Sequence, residues 1–236
     1  MSKLLFLDLE TSGLEVKDRI CELALIIEDE AQLLSAESLC KSPKKISNGA
    51  MALHHITNEM IKESLACDQT EVYKSLENLN KQENILLAHN IRFDLNMLEK
   101  EGFKNSMQVI DTLRCVKSLI PECEEFNLQF LRYELGLYKQ EEAEAKELGV
   151  KLQAHRALSD AFQVRLLFKT LLDYATLSQL IEISSKPVLL EKFSFGKYKG
   201  RYIEEIVNLD RAYIQWMLTS IDDMDEDLNY SLKYYL

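Results

Sequence analysis

Short runs of apolar residues near the start of the chain predict three consecutive strands. Residues 3–9 and 19–27 are mostly apolar, and residues 32–40 show a weaker alternation. Apolar runs of this length that are bounded by turn-forming residues are typical of buried strands. Gly13 and the acidic stretch at 28–30 lie where turns would join these runs. The pattern therefore predicts an antiparallel meander at the start of the fold.

After the meander, segments with a helical period alternate with two more strands, predicted at residues 84–89 and 108–110. The predicted helices cover residues 47–53, 57–63, 70–79, 93–101, 112–120, 127–135 and 156–174. Residues 139–151 are rich in charge and predict a solvated helix or loop that carries no chemistry. Strands that alternate with helices after a meander indicate an α/β fold with a mixed sheet flanked by helices.

The sequence SSKP, which ends at Pro187, predicts a boundary because proline breaks a helix. We predict a main domain over residues 1–176, a helical linker over 177–189 and a small α+β domain over 190–236. The last segment combines a hairpin-like FSFGKYKGRY with two helical stretches, which include the only tryptophan, Trp216. So few residues cannot enclose a large core, and we expect this piece to pack on the main domain.

Composition and charge narrow the class of protein. Apolar residues make up 47% of the 236, which excludes a wholly disordered chain. The net charge of −11 argues against a broad electrostatic grip on nucleic acid. The five cysteines are odd in number and form no C-x-x-C motif, so we expect reduced, buried thiols. No apolar run approaches 18 residues, which predicts no membrane span and a cytoplasmic location.

Three acidic clusters are candidates for chemistry. Asp8 and Glu10 are two residues apart on the first predicted strand, so their side chains share a face. Two carboxylates in a partly dry site are costly unless a cation or a proton neutralises them. Asp94 begins a helix after a predicted strand, and His155 precedes Asp160 by five residues near the start of a long helix. Taken alone, each cluster is equally typical of a solvated strand edge, a helix cap or a core position.

Taken together and in this order, the motifs D-x-E, HN-x-x-FD and H-x4-D resemble those of the DEDD superfamily of 3′–5′ exonucleases. The resemblance covers residues 3–174, and the histidine points to the His subclass, because Arg156 stands where the Tyr subclass has its aromatic residue. The segments AMALHHITNEMI and FSFGKYKGRYIEEIVNLDRAYIQWML resemble bacterial enzymes of the exonuclease X type. His55 departs from the wider family, where a glycine is usual. The implied fold is ribonuclease H-like.

The resemblance implies a two-metal phosphodiesterase. Two divalent ions, Mg²⁺ or Mn²⁺, would lie on Asp8, Glu10, Asp94 and Asp160. Hard oxygen ligands suit these ions and would not select zinc. His155 would act as the general base that takes a proton from the attacking water, because an imidazole changes charge near neutral pH. The products would be 5′-mononucleotides that are released from a 3′ end.

Candidate substrate contacts surround this motif set. Thr11, Gly13 and Leu14 follow the acidic pair, where backbone N–H groups can hold a terminal nucleotide and an apolar side chain can pack against bases. Leu14 is as consistent with a turn residue packed on the core. The resemblance adds His54 as a substrate contact. Asn90 and Phe93 flank Asp94, and Phe93 is as consistent with plain core.

The C-terminal segment offers possible DNA contacts, because aromatic faces and cations suit single-stranded nucleic acid. The candidates are Lys197, Tyr198, Lys199 and Arg201. The alternative is that the aromatic residues form a small core and the cations are merely exposed.

The resulting prediction is a metal-dependent 3′–5′ exodeoxyribonuclease with a role in DNA repair, which acts on nucleic acid 3′ ends, DNA in preference to RNA, and not at membranes. Alternatives with the same chemistry are the proofreading subunit of DNA polymerase III, which would associate with a DNA polymerase, and an RNA-trimming exoribonuclease. A non-catalytic module that binds 3′ ends is a further alternative. A homodimer is also left open.

Overall fold

In a computed structural model, which describes residues 2–221 and 224–236, the chain divides into two compact units. These are Met1–Ile181 and Glu182–Leu236. Across the described residues, no helix combines the length and the apolar character that crossing a bilayer requires. The predicted limits of the domains, at residues 176 and 190, stay a prediction.

The first unit is built on a five-stranded mixed sheet. Its strands are β1 (Leu4–Thr11), β2 (Ile20–Glu28), β3 (Leu33–Leu39), β4 (Ile85–Ala88) and β5 (Gln108–Asp111), in the order β3-β2-β1-β4-β5. The first three strands pair antiparallel, β4 pairs parallel with β1, and β5 pairs parallel with β4. The predicted meander and mixed sheet are confirmed. Because β1 is central, the polar side chains at its end lie over the middle of the sheet.

The helices of the first unit are α1 (Asn48–His54), α2 (Glu71–Asn78), α3 (Ile91–Lys100), α4 (Thr112–Leu119), α5 (Leu128–Glu134), α6 (Glu141–Leu148) and α7 (Ala157–Leu171). The next helix, α8 (Leu177–Ser184), includes the division between the units at Ile181 and Glu182. Several begin at side-chain caps: the side chains of Ser47, Thr70 and Asn127 each accept a hydrogen bond from a backbone N–H of the first turn. Each cap satisfies a donor that would otherwise lack a partner.

The long helix α7 packs across β1 and β2 and is buried along most of its length. Phe168 on this helix meets Phe6 on β1 with ring centroids 5.7 Å apart. A helix that is apolar on nearly all sides belongs inside the fold rather than at its surface. This packing fixes the beginning of α7 beside the end of β1.

The predicted helix over residues 57–63 is wrong. This segment forms consecutive turns, in which Met60, Lys62 and Ser64 each donate a backbone N–H to the carbonyl three residues earlier. Bonds of this span tighten the chain more than an α-helix does. The turns bring Ile61 into a small core cluster with Cys21, Ile46 and Ile56.

The charge-rich segment over residues 139–151 is a tethered helix rather than a free one. Glu141 on α6 is buried and forms an ion pair with Arg132. Glu144 pairs with Arg165 at 2.7 Å and with Lys169 at 2.6 Å. The charges therefore fasten α6 to α5 and α7, and their role is structural.

The second unit has a core of its own. Its described residues form three helices, α9 (Ile203–Leu209), α10 (Arg211–Ser220) and α11 (Glu226–Tyr235), where two helical stretches were predicted. Its buried cluster consists of Phe193, Ile203, Ile206, Val207, Ile214, Met217, Leu228 and Leu232. The hairpin-like segment forms one isolated antiparallel bridge between Lys192 and Tyr202.

Candidate active site

The carboxylates of the first two clusters meet because β1 and β4 are parallel neighbours. Leu7 and Leu9 are buried beneath the sheet, while Asp8 and Glu10 alternate with them on the other face of β1. Asp94 lies in the first turn of α3, the helix that follows β4. Strands that run in the same direction end at the same edge, so Asp94 is brought beside the acidic pair.

The third cluster comes from the beginning of α7. Asp160 lies in the first turn of this helix, and His155 lies in the turn before it, with a left-handed backbone at φ 58°. One potential ligand atom from each of Glu10, His155 and Asp160 can be chosen so that all lie within 4.8 Å of one another. A left-handed backbone at a non-glycine residue costs on the order of 1–3 kcal/mol and persists only where the surroundings enforce it.

One cleft of about 210 Å³ contains all five residues that the motifs single out. Its walls are formed by Asp8, Leu9, Glu10, His89, Phe93, Asp94, Asn127, Leu128, Gln129, His155 and Asp160. Asp94 and Asp160 are buried, and Asp8 and Glu10 are half-buried. The sequence motifs, which are up to 152 residues apart between Asp8 and Asp160, are thus assembled in one place.

The cleft holds negative charge that the protein does not neutralise. Burial raises the pKa of Glu10 to about 8, and the neighbouring charges of Asp160 and Glu22 contribute. Burial also raises the pKa of Asp8 well above its ordinary value, with repulsion from Asp160, Asp94 and Glu10. Burial likewise raises the pKa of Asp160 to about 6, although the backbone at His155 and the amide of Gln129 oppose this change.

The donor set fits a hard divalent cation. Burial and mutual repulsion raise the pKa values of these carboxyls, and the charges of Arg156 and Arg132 offset the rise only in part, so a cation would stabilise the ionised site. Carboxylate oxygens with a single imidazole suit Mg²⁺ or Mn²⁺ rather than the nitrogen and sulfur ligands of a typical structural zinc site. Ligand atoms of Glu10 and Asp160 lie within 4.8 Å of one another, and Asp8 and Asp94 line the same cleft.

The beginning of α7 is fixed by Glu22, which the motif search missed. Glu22 stands opposite Glu10 in the β1–β2 ladder and its side chain is 1% exposed. Both of its oxygens lie 3.0 Å from Nε of Arg156, and Oε2 accepts the backbone N–H of Ala157 at 2.9 Å. Since His155 and Arg156 are adjacent, this contact holds the turn that carries the imidazole. The available signal was an acid inside the apolar run of a predicted strand.

Two further residues of the cleft wall were missed. Gln129 on α5 donates from Nε2 to Oδ1 of Asp160 at 2.8 Å. His89 follows β4, and its Nε2 donates to the carbonyl of Phe126 at 2.7 Å, which leaves Nδ1 to accept from the hydroxyl of Thr112. Burial lowers the pKa of His89 to about 4, so the ring is neutral and holds this wall in place. Gln129 belongs to no motif, whereas His89 is the first residue of the HN-x-x-FD motif, to which the sequence analysis assigned no role of its own.

The loop after β1 is organised around a buried acid, Asp18. Its Oδ1 accepts the hydroxyl of Ser12, and its Oδ2 accepts the backbone N–H of Glu15, both at 2.7 Å. Lys44 pairs with the same carboxylate at 2.9 Å. A Cβ at Gly13 would lie 2.7 Å from Oδ2 of Asp18, so the loop leaves no room for a side chain there.

Leu14 does not pack on the core, because it is 86% exposed. It borders a second, open cavity of about 550 Å³ together with Val16, Phe93 and Met97. Phe93 lines both cavities, so its side chain borders the cleft as well as the second cavity.

His54 lies behind this loop rather than at the surface that direct substrate contact would need. It is 1% exposed; its Nδ1 accepts from Ile56, and its Nε2 donates to the carbonyl of Thr11 at 3.2 Å. Asn90 begins α3 with a left-handed backbone, and its N–H donates to Asp111 at 3.0 Å. A direct contact between His54 and a substrate stays a prediction.

The predicted contacts of the C-terminal segment lie in the second unit. Lys197 pairs with Asp210 at 3.0 Å, and Arg201 pairs with Glu205. The hydroxyl of Tyr198 donates to the same Asp210 at 2.7 Å.

Comparison with known proteins gives the family. A family model described as "Exonuclease" matches residues 5–168, the part of the chain that carries every motif of the cleft. The chain belongs to the exonuclease family. A second family model, "Exodeoxyribonuclease X-like C-terminal", matches residues 193–222. The predicted resemblance is therefore confirmed.

Similar proteins include Exodeoxyribonuclease 10 of Escherichia coli (strain K12). It is 28% identical over 238 residues, which cover 98% of this chain and 97% of that protein. The 3′-5′ exonuclease DinG of Bacillus subtilis (strain 168) is 29% identical over 194 residues, which cover 75% of this chain and 19% of that protein.

Solved structures share the fold. Exonuclease X in complex with 5′ overhanging duplex DNA has a TM-score of 0.57 at 22% identity, and the match covers 78% of this chain and 99% of that chain. Exonuclease I of E. coli in complex with a dT13 oligonucleotide has a TM-score of 0.55 at 19% identity, covering 77% and 43%. The predicted ribonuclease H-like α/β fold is confirmed.

Proposed function

We propose that this member of the exonuclease family is a metal-dependent 3′–5′ exodeoxyribonuclease that releases 5′-mononucleotides. The observation that carries the proposal is the approach of Glu10, His155 and Asp160 to within 4.8 Å, in a cleft that Asp8 and Asp94 also line. Four acids and one imidazole are what a two-metal phosphodiesterase with a histidine base requires.

The four carboxylates of this cleft would hold two divalent cations. When bound, such ions supply an activated water and stabilise the charge of an in-line displacement. His155 takes the proton of the attacking water on an imidazole nitrogen. The water oxygen bonds to the terminal phosphorus, the bond from phosphorus to the 3′-oxygen of the preceding nucleotide breaks, and the terminal nucleotide leaves with its 5′-phosphate.

In this proposal, the loop after β1 positions the 3′ end of the DNA strand. Thr11 and Gly13 present backbone next to the cleft, and His54 keeps Thr11 in place from behind. The exposed side chain of Leu14 would pack against the terminal base, and Phe93 lines the same second cavity. Asn90 stabilises the turn that delivers Asp94.

DNA is the proposed substrate because the likeness to Exodeoxyribonuclease 10 extends over both units of the chain. A structural neighbour was also solved with duplex DNA. The role in repair, a polymerase partner, a homodimer and the cytoplasmic location stay predictions.

The test uses 5′-labelled single-stranded DNA and RNA of one sequence, incubated with Mg²⁺ or with a chelator. We expect a ladder that shortens from the 3′ end, faster for DNA, and that disappears with the chelator and in Asp160→Asn. Asp173→Asn, an exposed acid beyond the end of the same helix, is the matched control and should cleave normally. Cleavage by Asp160→Asn at the wild-type rate, or no cleavage with Mg²⁺ or Mn²⁺, would contradict the proposal.

A further inference from the structure

The second unit concentrates positive charge on one short loop of an acidic protein. Between Glu191 and Glu204 the chain carries four cations and no acid, although the whole chain has a net charge of −11. The four cations are Lys192, Lys197, Lys199 and Arg201. Lys197 and Arg201 pair with the surface acids Asp210 and Glu205, and surface ion pairs of this kind are weak enough for a phosphate to compete with them.

This loop is held against α10 by an aromatic patch, which we define as Tyr198, Tyr213 and Trp216. The rings of Tyr198 and Tyr213 lie 5.2 Å apart, edge to face, and those of Tyr213 and Trp216 lie 5.8 Å apart. Lys197 Nζ lies 4.7 Å from the centre of the Tyr198 ring and 5.8 Å from that of Tyr213. Cation and rings therefore form one continuous surface.

The members of the aromatic patch differ in what they can offer to a ligand. Tyr198 is committed to the protein, because its hydroxyl donates to Asp210 and its ring contacts the buried Phe193. Trp216 is 53% exposed, three residues after Tyr213 on the same helix face. The indole thus rests on Tyr213 and keeps exposed ring surface that a planar group can cover.

The loop is also rigid enough to present its cations in a fixed arrangement. Two tight turns, at Gly196 with φ 75° and at Gly200 with φ 82°, adopt backbone that favours glycine. Phe193 closes the loop by donating to the carbonyl of Arg201 at 3.0 Å and accepting from Gly200 at 2.7 Å. Preorganised sites lose less entropy on binding than mobile ones.

We infer that the aromatic patch and its loop form a second nucleic-acid site, in which Trp216 stacks on one unpaired base while Lys197 and Lys199 neutralise adjacent phosphates. The ligand class is single-stranded nucleic acid, because a duplex keeps its bases stacked inside and offers no free face to the indole. The exposed Lys197–Asp210 pair is weak enough to yield to a phosphate. The choice of ligand rests on the proposed function.

Trp216 is the only tryptophan in the chain, so its fluorescence reports on this site alone. The probe is a circularised 30-nucleotide oligo(dT), which has no 3′ end for the cleft to engage, mixed with full-length Asp160→Asn protein in chelator. We expect the emission of Trp216 to be quenched by this probe and not by a blunt duplex. In anisotropy titrations with a fluorescein-labelled circle, Trp216→Ala should weaken binding about 5- to 150-fold.

Two further variants separate the contributions. Lys199→Gln should weaken binding and reduce the slope of log affinity against log salt concentration by roughly 0.7, the value for one phosphate on a single strand. Tyr234→Ala, which removes an exposed aromatic residue on α11, is the matched control and should bind normally.

Three results would overturn the inference: unchanged emission with the circle, wild-type affinity in Trp216→Ala, or an emission change on concentrating the protein without DNA, which would make the patch a contact between copies. Exonuclease activity on linear DNA is measured separately. A normal ladder without binding of the circle would rule out this second site and leave the proposed function intact. Binding of the circle without a ladder would support the second site and rule out the proposed function.

Discussion

Glu22 links the central sheet to the histidine of the cleft. Its carboxylate accepts hydrogen bonds from Arg156 and from the first N–H of α7. Burial raises the pKa of Glu10, and the charge of Arg156 offsets a part of that rise. One buried acid therefore holds the turn of His155 and places a cation near the acidic cluster. Burying a carboxylate at this point costs desolvation free energy, which the hydrogen bonds of Glu22 to Arg156 and to the start of α7 offset.

Replacing Glu22 with Gln should harm both stability and turnover. The variant loses the charge of a buried ion pair, so we expect the free energy of unfolding to fall by on the order of 2 kcal/mol. The rate constant for turnover should fall more than KM rises, because the residue positions His155 rather than substrate. Urea unfolding and steady-state kinetics measure the two effects. Glu30→Gln, an exposed acid in the turn after β2, is the control; equal effects in both variants would refute the positioning role.

The variant His155→Asn removes the imidazole while it keeps the backbone turn that carries it. Asparagine tolerates the left-handed backbone at φ 58°, so the turn should survive while proton transfer is lost. We expect the turnover rate to fall 10²- to 10⁴-fold with little change in melting temperature. His55→Asn is a close control, because His55 has the same kind of backbone at φ 61° and lies outside the cleft walls. A His155→Asn rate within threefold of wild type would show that another group takes the proton.

At the scale of elements, the loop between β1 and β2 is as important as the strands. Asp18 gathers Ser12, Glu15 and Lys44 around one carboxylate, and this arrangement projects Leu14 and Val16 outward. The loop is thus preformed, and its geometry depends on the absence of a side chain at Gly13.

Gly13→Ala should move this loop, because its Cβ would lie 2.7 Å from the Asp18 carboxylate. We expect KM for a DNA 3′ end to rise several-fold and the free energy of unfolding to fall by about 1 kcal/mol. Gly49→Ala is the matched control, since nothing lies within 4 Å of its Cβ position, and it should be neutral or slightly stabilising. An unchanged KM in Gly13→Ala would mean that the loop does not hold the substrate.

Sequence patterns predicted most elements because burial and capping leave local signals. The alternation that gave β1 to β3 and the caps at Ser47 and Thr70 are examples. The helix over residues 57–63 was predicted wrongly because a threonine at position 57 is compatible with a helix start and with turns. The packing of Ile61 into its core cluster favours the turns, and this contact leaves no local signal in the sequence. The roles of Glu22 and Gln129, and that of His89 within its motif, were not predicted because each residue acts through a partner more than 20 residues away, which no local pattern records.

At the scale of the whole molecule, the acidic cleft makes stability depend on pH and on metal. A carboxyl with a higher pKa in the folded protein than in the unfolded chain stabilises the fold while it is protonated, and this contribution is lost as the pH rises through the folded value. Glu10, with a pKa of about 8, and Asp8, whose pKa burial also raises well above its ordinary value, are therefore sources of instability above neutral pH.

Without metal, we expect the free energy of unfolding to fall between pH 7.0 and 8.5, by at most ~1.4 kcal/mol per pH unit for each proton the folded protein retains. His89 is neutral throughout this range and does not mask the effect. Mg²⁺ replaces the protons, so its stabilising effect should be larger at pH 8.5 than at pH 7.0. Urea unfolding with and without Mg²⁺ measures this difference, and an equal effect at both pH values would contradict it.

The most direct test of the central claim is anomalous diffraction from crystals of the protein soaked in Mn²⁺ with a 5′-mononucleotide. We predict two Mn²⁺ peaks in the cleft, with ligand distances of about 2.1 Å to oxygens of Asp8, Glu10, Asp94 and Asp160, and with the imidazole of His155 facing them. Peaks elsewhere on the protein, or a cleft that stays free of Mn²⁺ while the nucleotide binds, would contradict the account.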